Sequence, residues 1–184
     1  MKDIVLLVFL SGCRKVYPCD GSTVLVNFAP NLDAVGHDDL RQALHVWDVY
    51  GCGFRTKDEL TQDQLSRVHG ETLQVTGHSF GASPSTIGVY EYGGTAEQGY
   101  IVLDTDLFNG HSDYDVHVVA HEVGHAFGMN HVPQELGNAI MNPVSNDIIV
   151  PTALDYDMWC RLWCDKQVDP GGEPDPGTLR PATH

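Results

Sequence analysis

The chain has 184 residues, a length that suits one domain of ordinary size. Apolar residues make up 42% of it and charged residues 19%, a balance that can bury a core and argues against a wholly disordered chain. The 25 acidic and 10 basic side chains give a net charge of −15. Because such a surface repels phosphate, we expect no nucleic-acid partner.

An apolar run from Ile4 to Leu10 follows a positively charged start. The run is too short to span a bilayer and is typical of a signal peptide. It leads into Leu-Ser-Gly-Cys, ending at Cys13, which resembles the lipobox of bacterial lipoproteins, where the chain is cut before a lipidated cysteine. The resemblance implies a signal peptide over residues 1–12 and export to the cell envelope or the exterior. The lipid on Cys13 would be the one membrane contact. The alternative is a hydrophobic first strand with an incidental cysteine.

Four cysteines remain once Cys13 is set aside: Cys19, Cys52, Cys160 and Cys164. In an oxidising compartment they can form two disulfides, and the sequence does not choose among the three pairings. Cys160 and Cys164 lie one turn apart on a predicted helix, which is an awkward geometry for a bridge unless the helix frays. Their spacing is also poor for a pair of zinc ligands.

The predicted elements begin after a tether over residues 13–21. Alternating β-branched and aromatic residues predict strands at 22–29, 72–76, 86–92 and 100–107. Apolar periodicity predicts helices at 38–50, 59–68, 113–127 and 152–163. The first of these helices carries an apolar face formed by Leu40, Ala43, Leu44 and Trp47. One folded domain is therefore expected over residues 22–164. The Pro- and Gly-rich residues 165–184 are predicted to be a disordered tail.

The segment that begins at His121 reads HEVGHAFGMNH. His121 and His125 are four apart on a predicted helix, so their imidazoles share one face and can bind one Zn²⁺. Glu122 lies beside that face, where a carboxylate can deprotonate a zinc-bound water. Gly128 can end the helix with a positive φ, which brings His131 back as a third ligand. Three imidazoles and one water form an open, catalytic kind of site. A helix with solvent-facing histidines is the alternative, and it leaves the glycine and the third histidine unexplained.

This segment matches HExxHxxGxxH, the signature of the metzincin zinc peptidases, and the chain resembles that family. Shortly beyond it, Met141 lies in Ala-Ile-Met-Asn-Pro, which resembles the family's methionine turn. In that turn the methionine side chain lies beneath the metal without ligating it. The resemblance covers residues 22–164 and is to a reduced matrixin domain. It implies an α+β zincin-type fold: a twisted mixed sheet with two long helices, namely the active-site helix and a C-terminal helix after the methionine turn.

Other acids and histidines match the family less fully. Asp155 and Asp157 resemble the acidic start of the last matrixin helix, and Asp157 best matches an acid that braces the methionine turn; helix capping is the alternative for both. The structural-zinc histidines of matrixins are not recognisable, so His117 is interpreted as partly buried structure. Calcium sites cannot be assigned, although four acids could ligate Ca²⁺, with capping or solvation as the alternative: Asp104, Asp106, Asp113 and Asp115.

The resemblance implies a monomeric zinc endopeptidase that cleaves extracellular or envelope proteins. The scissile carbonyl would bind near zinc, and Glu122 would carry a proton from water to the leaving amine. An extended substrate would lie beside an edge strand, with residues 86–92 as a candidate, and residues 143–151 would line an apolar pocket beyond the cut. Two alternatives remain open: a non-catalytic, zinc-containing surface lipoprotein that binds peptides, and a structural zinc domain.

Overall fold

The computed structural model describes residues 23–164 apart from 36, 67, 69–71, 82–87, 93–97, 107–112 and 145. The predicted signal peptide, the lipidation site Cys13, the tether and the tail over 165–184 lie outside the described residues. Among the residues that are described, no helix combines the length and the apolar character needed to cross a membrane.

Strands of the described chain form one sheet in the order β2-β1-β3-β5-β4. Their bounds are Thr23–Phe28 for β1, Gly53–Thr56 for β2, Thr72–His78 for β3, Gly88–Tyr92 for β4 and Gln98–Asp104 for β5. Strands β2, β1, β3 and β5 run parallel, whereas β4 pairs antiparallel with β5 at one edge. Crossovers that contain helices lead from β1 to β2 and from β2 to β3 and keep these strands parallel, whereas β4 is the element between the parallel strands β3 and β5. The protein is thus mixed α/β. Its small sheet is parallel except for the edge strand β4, whereas the resemblance implied a twisted mixed sheet.

The helices agree with the predicted positions to different extents. They span His37–His45 for α1, Gln62–Leu65 for α2, Asp113–Ala126 for α3 and Ala153–Trp163 for α4. Short 3₁₀ turns cover Pro30–Val35, Val46–Tyr50, Lys57–Glu59 and Gln134–Leu136. The helix predicted at 59–68 is only one turn long, because its few apolar residues give it little to bury. The predicted helix at 38–50 is α1 followed by a 3₁₀ turn.

One face of the sheet is buried under α1 and α3. Burial alternates over the first four residues of β1 and of β3, where the second and fourth side chains lie in the core and the first and third are half-buried. The predicted apolar face of α1 is confirmed, since all of its members are fully buried. Helix α3 is buried continuously from Asp115 to Ala126. A helix buried on every side belongs to the core rather than to the surface, so α3 is held in place from all directions.

Trp47, in the turn after α1, ties that turn to α3. Its indole Nε1–H donates to the Ala120 carbonyl oxygen at 2.8 Å. The indole packs edge-on against Phe127, with ring centroids 6.4 Å apart, and Phe54 of β2 contacts the same phenyl ring at 4.6 Å. A Cβ atom at Gly124 would lie 3.1 Å from the indole. Trp47 therefore fixes how closely α3 approaches the rest of the core.

The structure joins Cys160 to Cys164, with their Cα atoms 4.7 Å apart. The helix does not fray at this bridge: Cys164 keeps helical torsion angles and its amide donates to the Cys160 carbonyl at 2.9 Å, and the Cα separation falls in the range that disulfides span. Cys52 is also disulfide-bonded.

We expect Trp47→Phe to lower the free energy of unfolding by about 1–3 kcal/mol, because the variant loses a buried hydrogen bond and ring volume. Urea denaturation measures the change. The control is Trp159→Phe, at a half-buried position on α4, which should cost less. Equal losses in the two variants would contradict the assignment of Trp47 as the link to α3.

Candidate metal centre

Backbone carbonyls orient the two helical histidines of the motif. The Nδ1 atom of His121 lies 2.7 Å from the Ile140 carbonyl oxygen, and that of His125 lies 2.8 Å from the Met129 carbonyl oxygen. A carbonyl oxygen only accepts, so each Nδ1 must carry the hydrogen and each neutral ring keeps its lone pair on Nε2. These two Nε2 atoms face each other at 3.0 Å. Two lone pairs at that distance repel unless a cation lies between them.

His131 completes a nearly equilateral arrangement of three rings. Its centroid lies 5.1 Å from that of His121 and 4.9 Å from that of His125, and the helical pair is 4.7 Å apart. Each ring offers one nitrogen as a ligand atom, and these three nitrogens all lie within 4.8 Å of one another. Imidazole nitrogens about 2 Å from a shared ion stand roughly 3.3 Å apart at tetrahedral angles. The three histidines can therefore hold a metal ion.

Gly128 turns the chain from α3 toward His131. Its φ is +87°, in the left-handed region that glycine tolerates best. Its amide donates to the His125 carbonyl at 2.9 Å, and the Met129 amide donates to the Gly124 carbonyl at 3.1 Å. This pair of bonds is the Schellman pattern of a helix end. The pattern also fixes the Met129 carbonyl, which orients the ring of His125.

The site is buried, and burial sets its protonation. Burial, with His125 and His131 adding to it, holds the pKa of His121 well below its ordinary value of 6.5. The ring is therefore neutral at pH 7 and can offer its lone pair without first losing a proton. Glu122, which follows His121 directly on α3, is also fully buried. The chain thus places a carboxylate in the dry interior beside the first histidine.

Met141 lies directly against α3. A Cβ atom at Gly124 would overlap the Met141 sulfur, so the missing side chain provides the space that the sulfur occupies. The neighbouring Ile140 supplies the carbonyl that orients His121. The Met141 side chain therefore packs against α3 at Gly124, the residue that precedes His125. A glycine in the middle of a helix lowers the stability of the helix by about 1 kcal/mol relative to alanine. Gly124 was therefore the signal in the sequence that another group packs closely against the helix at this position.

The brace of this turn is Asp155 and not Asp157. Asp155 is fully buried, and its two carboxylate oxygens accept from the amides of Met141 at 3.0 Å and Ile140 at 3.1 Å. The same carboxylate accepts from the amide and hydroxyl of Thr152, so it also caps α4. Asp157 is exposed. Residues two apart on a helix point to nearly opposite sides, so only one of these acids can face the turn.

His117 and the candidate calcium ligands do not belong to the group of three histidines, although the His117 ring centroid lies 6.2 Å from that of His121. His117 is buried more fully than predicted, and its Nδ1–H donates to the Ile148 carbonyl at 2.7 Å. Asp104 is fully buried at the end of β5, where one of its oxygens accepts from the backbone amides of Phe80 and Asp106, so it caps no helix. Within the described part of the chain, the group that could hold a metal is the set of three histidines. A calcium requirement stays a prediction.

Sequence reasoning missed Asn142, whose side chain is almost fully buried. It links the methionine turn to the loop that follows His131 by hydrogen bonds to backbone groups on both sides. A polar residue after a turn is ordinary, so the sequence carried no signal of this network.

No protein-family model matches the chain, and no curated protein matches its sequence. The functional assignment therefore rests on the motif and on the geometry of the histidine site.

We expect Asp155→Ala to lower the free energy of unfolding by at least about 2 kcal/mol, because two buried amides lose their acceptor at about 1–3 kcal/mol each. Asp157→Ala is the matched control and should change it by no more than about 0.5 kcal/mol. Chemical denaturation of both variants measures the difference. A larger effect at Asp157 would show that the brace is misassigned.

Acidification from pH 7 to pH 5 should destabilise the metal-free protein. Burial lowers the pKa of His117 and His121 below 6.5 in the folded state. Below about pH 6.5 the unfolded chain therefore binds protons that the folded chain does not, and the free energy of unfolding falls as the pH falls. Calorimetry in the presence of a chelator measures the trend. His117→Leu should flatten it, whereas a melting temperature that rises on acidification would contradict it.

Proposed function

We propose that the protein is a zinc-dependent metalloendopeptidase of the metzincin type, with a reduced matrixin-like catalytic domain. One observation carries the proposal: the Nε2 atoms of His121 and His125 face each other at 3.0 Å with His131 beside them. The buried Glu122 adds an acid–base group to that site. The HExxHxxGxxH spacing and the packing of Met141 under α3 support the same class.

The donor set favours zinc. Three neutral imidazoles, with neither thiolate nor carboxylate in the group, suit a borderline cation better than Ca²⁺ or Mg²⁺, which prefer oxygen ligands. Zinc held by three histidines would supply a Lewis acid that acidifies water and polarises a carbonyl group.

Glu122 would move the proton. Its carboxylate accepts a proton from the attacking water and delivers it to the amine nitrogen that leaves, so that a peptide bond and water become a carboxylic acid and an amine. Burial around Glu122 reduces solvent screening and strengthens its interaction with the charges that develop in the reaction. A protein that only bound peptides or a structural metal would not need an acid at this position.

An extended substrate would bind alongside the edge strand β4. This strand pairs on one side with β5 and contacts α3, which carries two of the histidines. An open sheet edge offers backbone groups that can pair with a peptide. The segment after the methionine turn is anchored to α3 by the bond from His117 to Ile148, and the exposed Val150 lies at its end. These features support a preference for a substrate with an apolar side chain just beyond the cleaved peptide bond.

The proposed location is the cell envelope or the exterior. The lipobox-like sequence ending at Cys13 supports it, with the lipid as the membrane anchor and the domain acting as a monomer on neighbouring proteins. The disulfides at Cys52 and Cys160–Cys164 fit an oxidising compartment.

We expect the purified protein to bind one zinc ion and to cleave casein, with cleavage blocked by a chelator and by a hydroxamate. Glu122→Gln should retain zinc and lose about 10²- to 10⁴-fold in turnover, because it removes the proton carrier and leaves the ligands intact. Zinc content comes from elemental analysis and turnover from a quenched-peptide assay.

Glu135→Gln is the matched control, since Glu135 is an exposed acid in the turn after His131. It should cleave like the wild-type protein. A Glu122→Gln variant with full activity would refute the mechanism. A wild-type protein that binds zinc and peptides without cleaving them would favour the non-catalytic alternative.

A further inference from the structure

His131 is held differently from the other two histidines of the site. His121 and His125 are fixed by the helix that carries them and by the carbonyls that accept from their Nδ1 atoms. His131 lies three residues beyond Gly128 in a segment that is neither helix nor strand. Whatever holds the backbone of that segment therefore contributes to the position of the His131 ring.

The backbone of Val132, the next residue, is held on both sides. Its amide donates to the Met141 carbonyl at 2.7 Å, and its carbonyl accepts from the Asn142 side-chain Nδ2 at 3.1 Å. The Val132 side chain is itself buried in the core. The residue after His131 is thus fastened to the methionine turn by two hydrogen bonds, one of which comes from a side chain.

The Asn142 amide uses its whole hydrogen-bonding capacity. Nδ2 donates to the carbonyls of Val132 and Gly137, both at 3.1 Å, and so contacts both ends of the loop that follows His131. Oδ1 accepts from the Ala139 amide at 2.7 Å and from the Asn146 side chain at 3.3 Å. The orientation of the amide follows from this network, since a backbone amide must face an oxygen. A buried amide with every bond made holds its surroundings rigidly.

We infer that Asn142 is a positioning residue for the third metal ligand. It acts through Val132: its Nδ2 donor fixes the backbone next to His131 and keeps that imidazole within reach of the pair on α3. This inference rests on the proposed metal site and adds to it the residue that holds His131 in place before a metal binds. Groups that orient metal ligands in this way are commonly worth 10- to 100-fold in metal affinity.

The test compares the zinc affinity of the wild-type full chain with that of Asn142→Asp, by competition with a chromophoric chelator. The substitution keeps the size and the Oδ1 acceptor, and it replaces the Nδ2 donor with an oxygen that faces two carbonyls. We expect zinc affinity to fall about 10- to 100-fold and the visible spectrum of the Co²⁺-loaded protein to change. Asn146→Ala is the matched control: its side chain contacts Asn142 but neither Val132 nor Gly137, and we expect less than about a 3-fold change.

A double-mutant cycle separates positioning from general damage to the fold. In a His131→Ala background, Asn142→Asp should cost little further zinc affinity, because the ligand through which it acts is absent. In a His125→Ala background the full loss should persist. Equal losses in both backgrounds, or wild-type affinity in the single variant, would overturn the inference while leaving the proposed function standing. A wild-type chain that binds no zinc would overturn both.

Hydrogen exchange provides a second measurement if the variant does not unfold cooperatively. In the metal-free wild-type protein, the Asn142 side-chain amide and the Val132 backbone amide should exchange slowly, because both are buried and bonded before any metal binds. Fast exchange at Asn142 would show that the network is not pre-formed, and the inference would fail.

Discussion

The site depends on which nitrogen each buried imidazole of α3 presents to its neighbours. His117, His121 and His125 recur at one-turn intervals, and each directs Nδ1 at a backbone carbonyl. Because the carbonyl can only accept, Nε2 is left with its lone pair, and in the last two rings these lone pairs converge. The Met129 carbonyl belongs to the turn that ends α3, whereas the Ile140 and Ile148 carbonyls lie 19 and 31 residues from the histidines they orient, so both the helix end and the tertiary structure set the chemistry of the histidines.

Much of this arrangement could be predicted from local patterns. The spacing of His121 and His125 predicts a shared helix face, and the glycine at 128 predicts the turn toward His131, since both signals depend only on neighbouring residues. The apolar face of α1 and the cores of the longer strands follow from periodicity in the same way. Helix α3, which is buried over most of its length, could be predicted from the sequence because its histidine motif and its apolar residues both indicate a helix.

The features that were missed depend on contacts between distant segments. Strand β2 has only four residues, the first of which is Gly53, and it follows Gly51 closely, so locally it resembles the end of a helix. Its pairing with β1 makes it a strand. Asp155 and Asp157 look alike in sequence, and only the position of α4 against the methionine turn selects the former. The four bonds of Asn142 join groups that no local pattern relates.

The brace from Asp155 has a consequence for biosynthesis. This residue follows in the chain all three histidines that could hold a metal, yet its carboxylate holds the turn whose carbonyl orients His121. Chains emerge from the ribosome with the N-terminal part first, so the histidines are made before the helix that orders their surroundings. Flexible imidazoles on an incomplete chain hold a metal weakly, because the ordering entropy must be overcome on binding. Tight metal capture at this site would therefore be a late event in maturation, reached only when the last helix has docked.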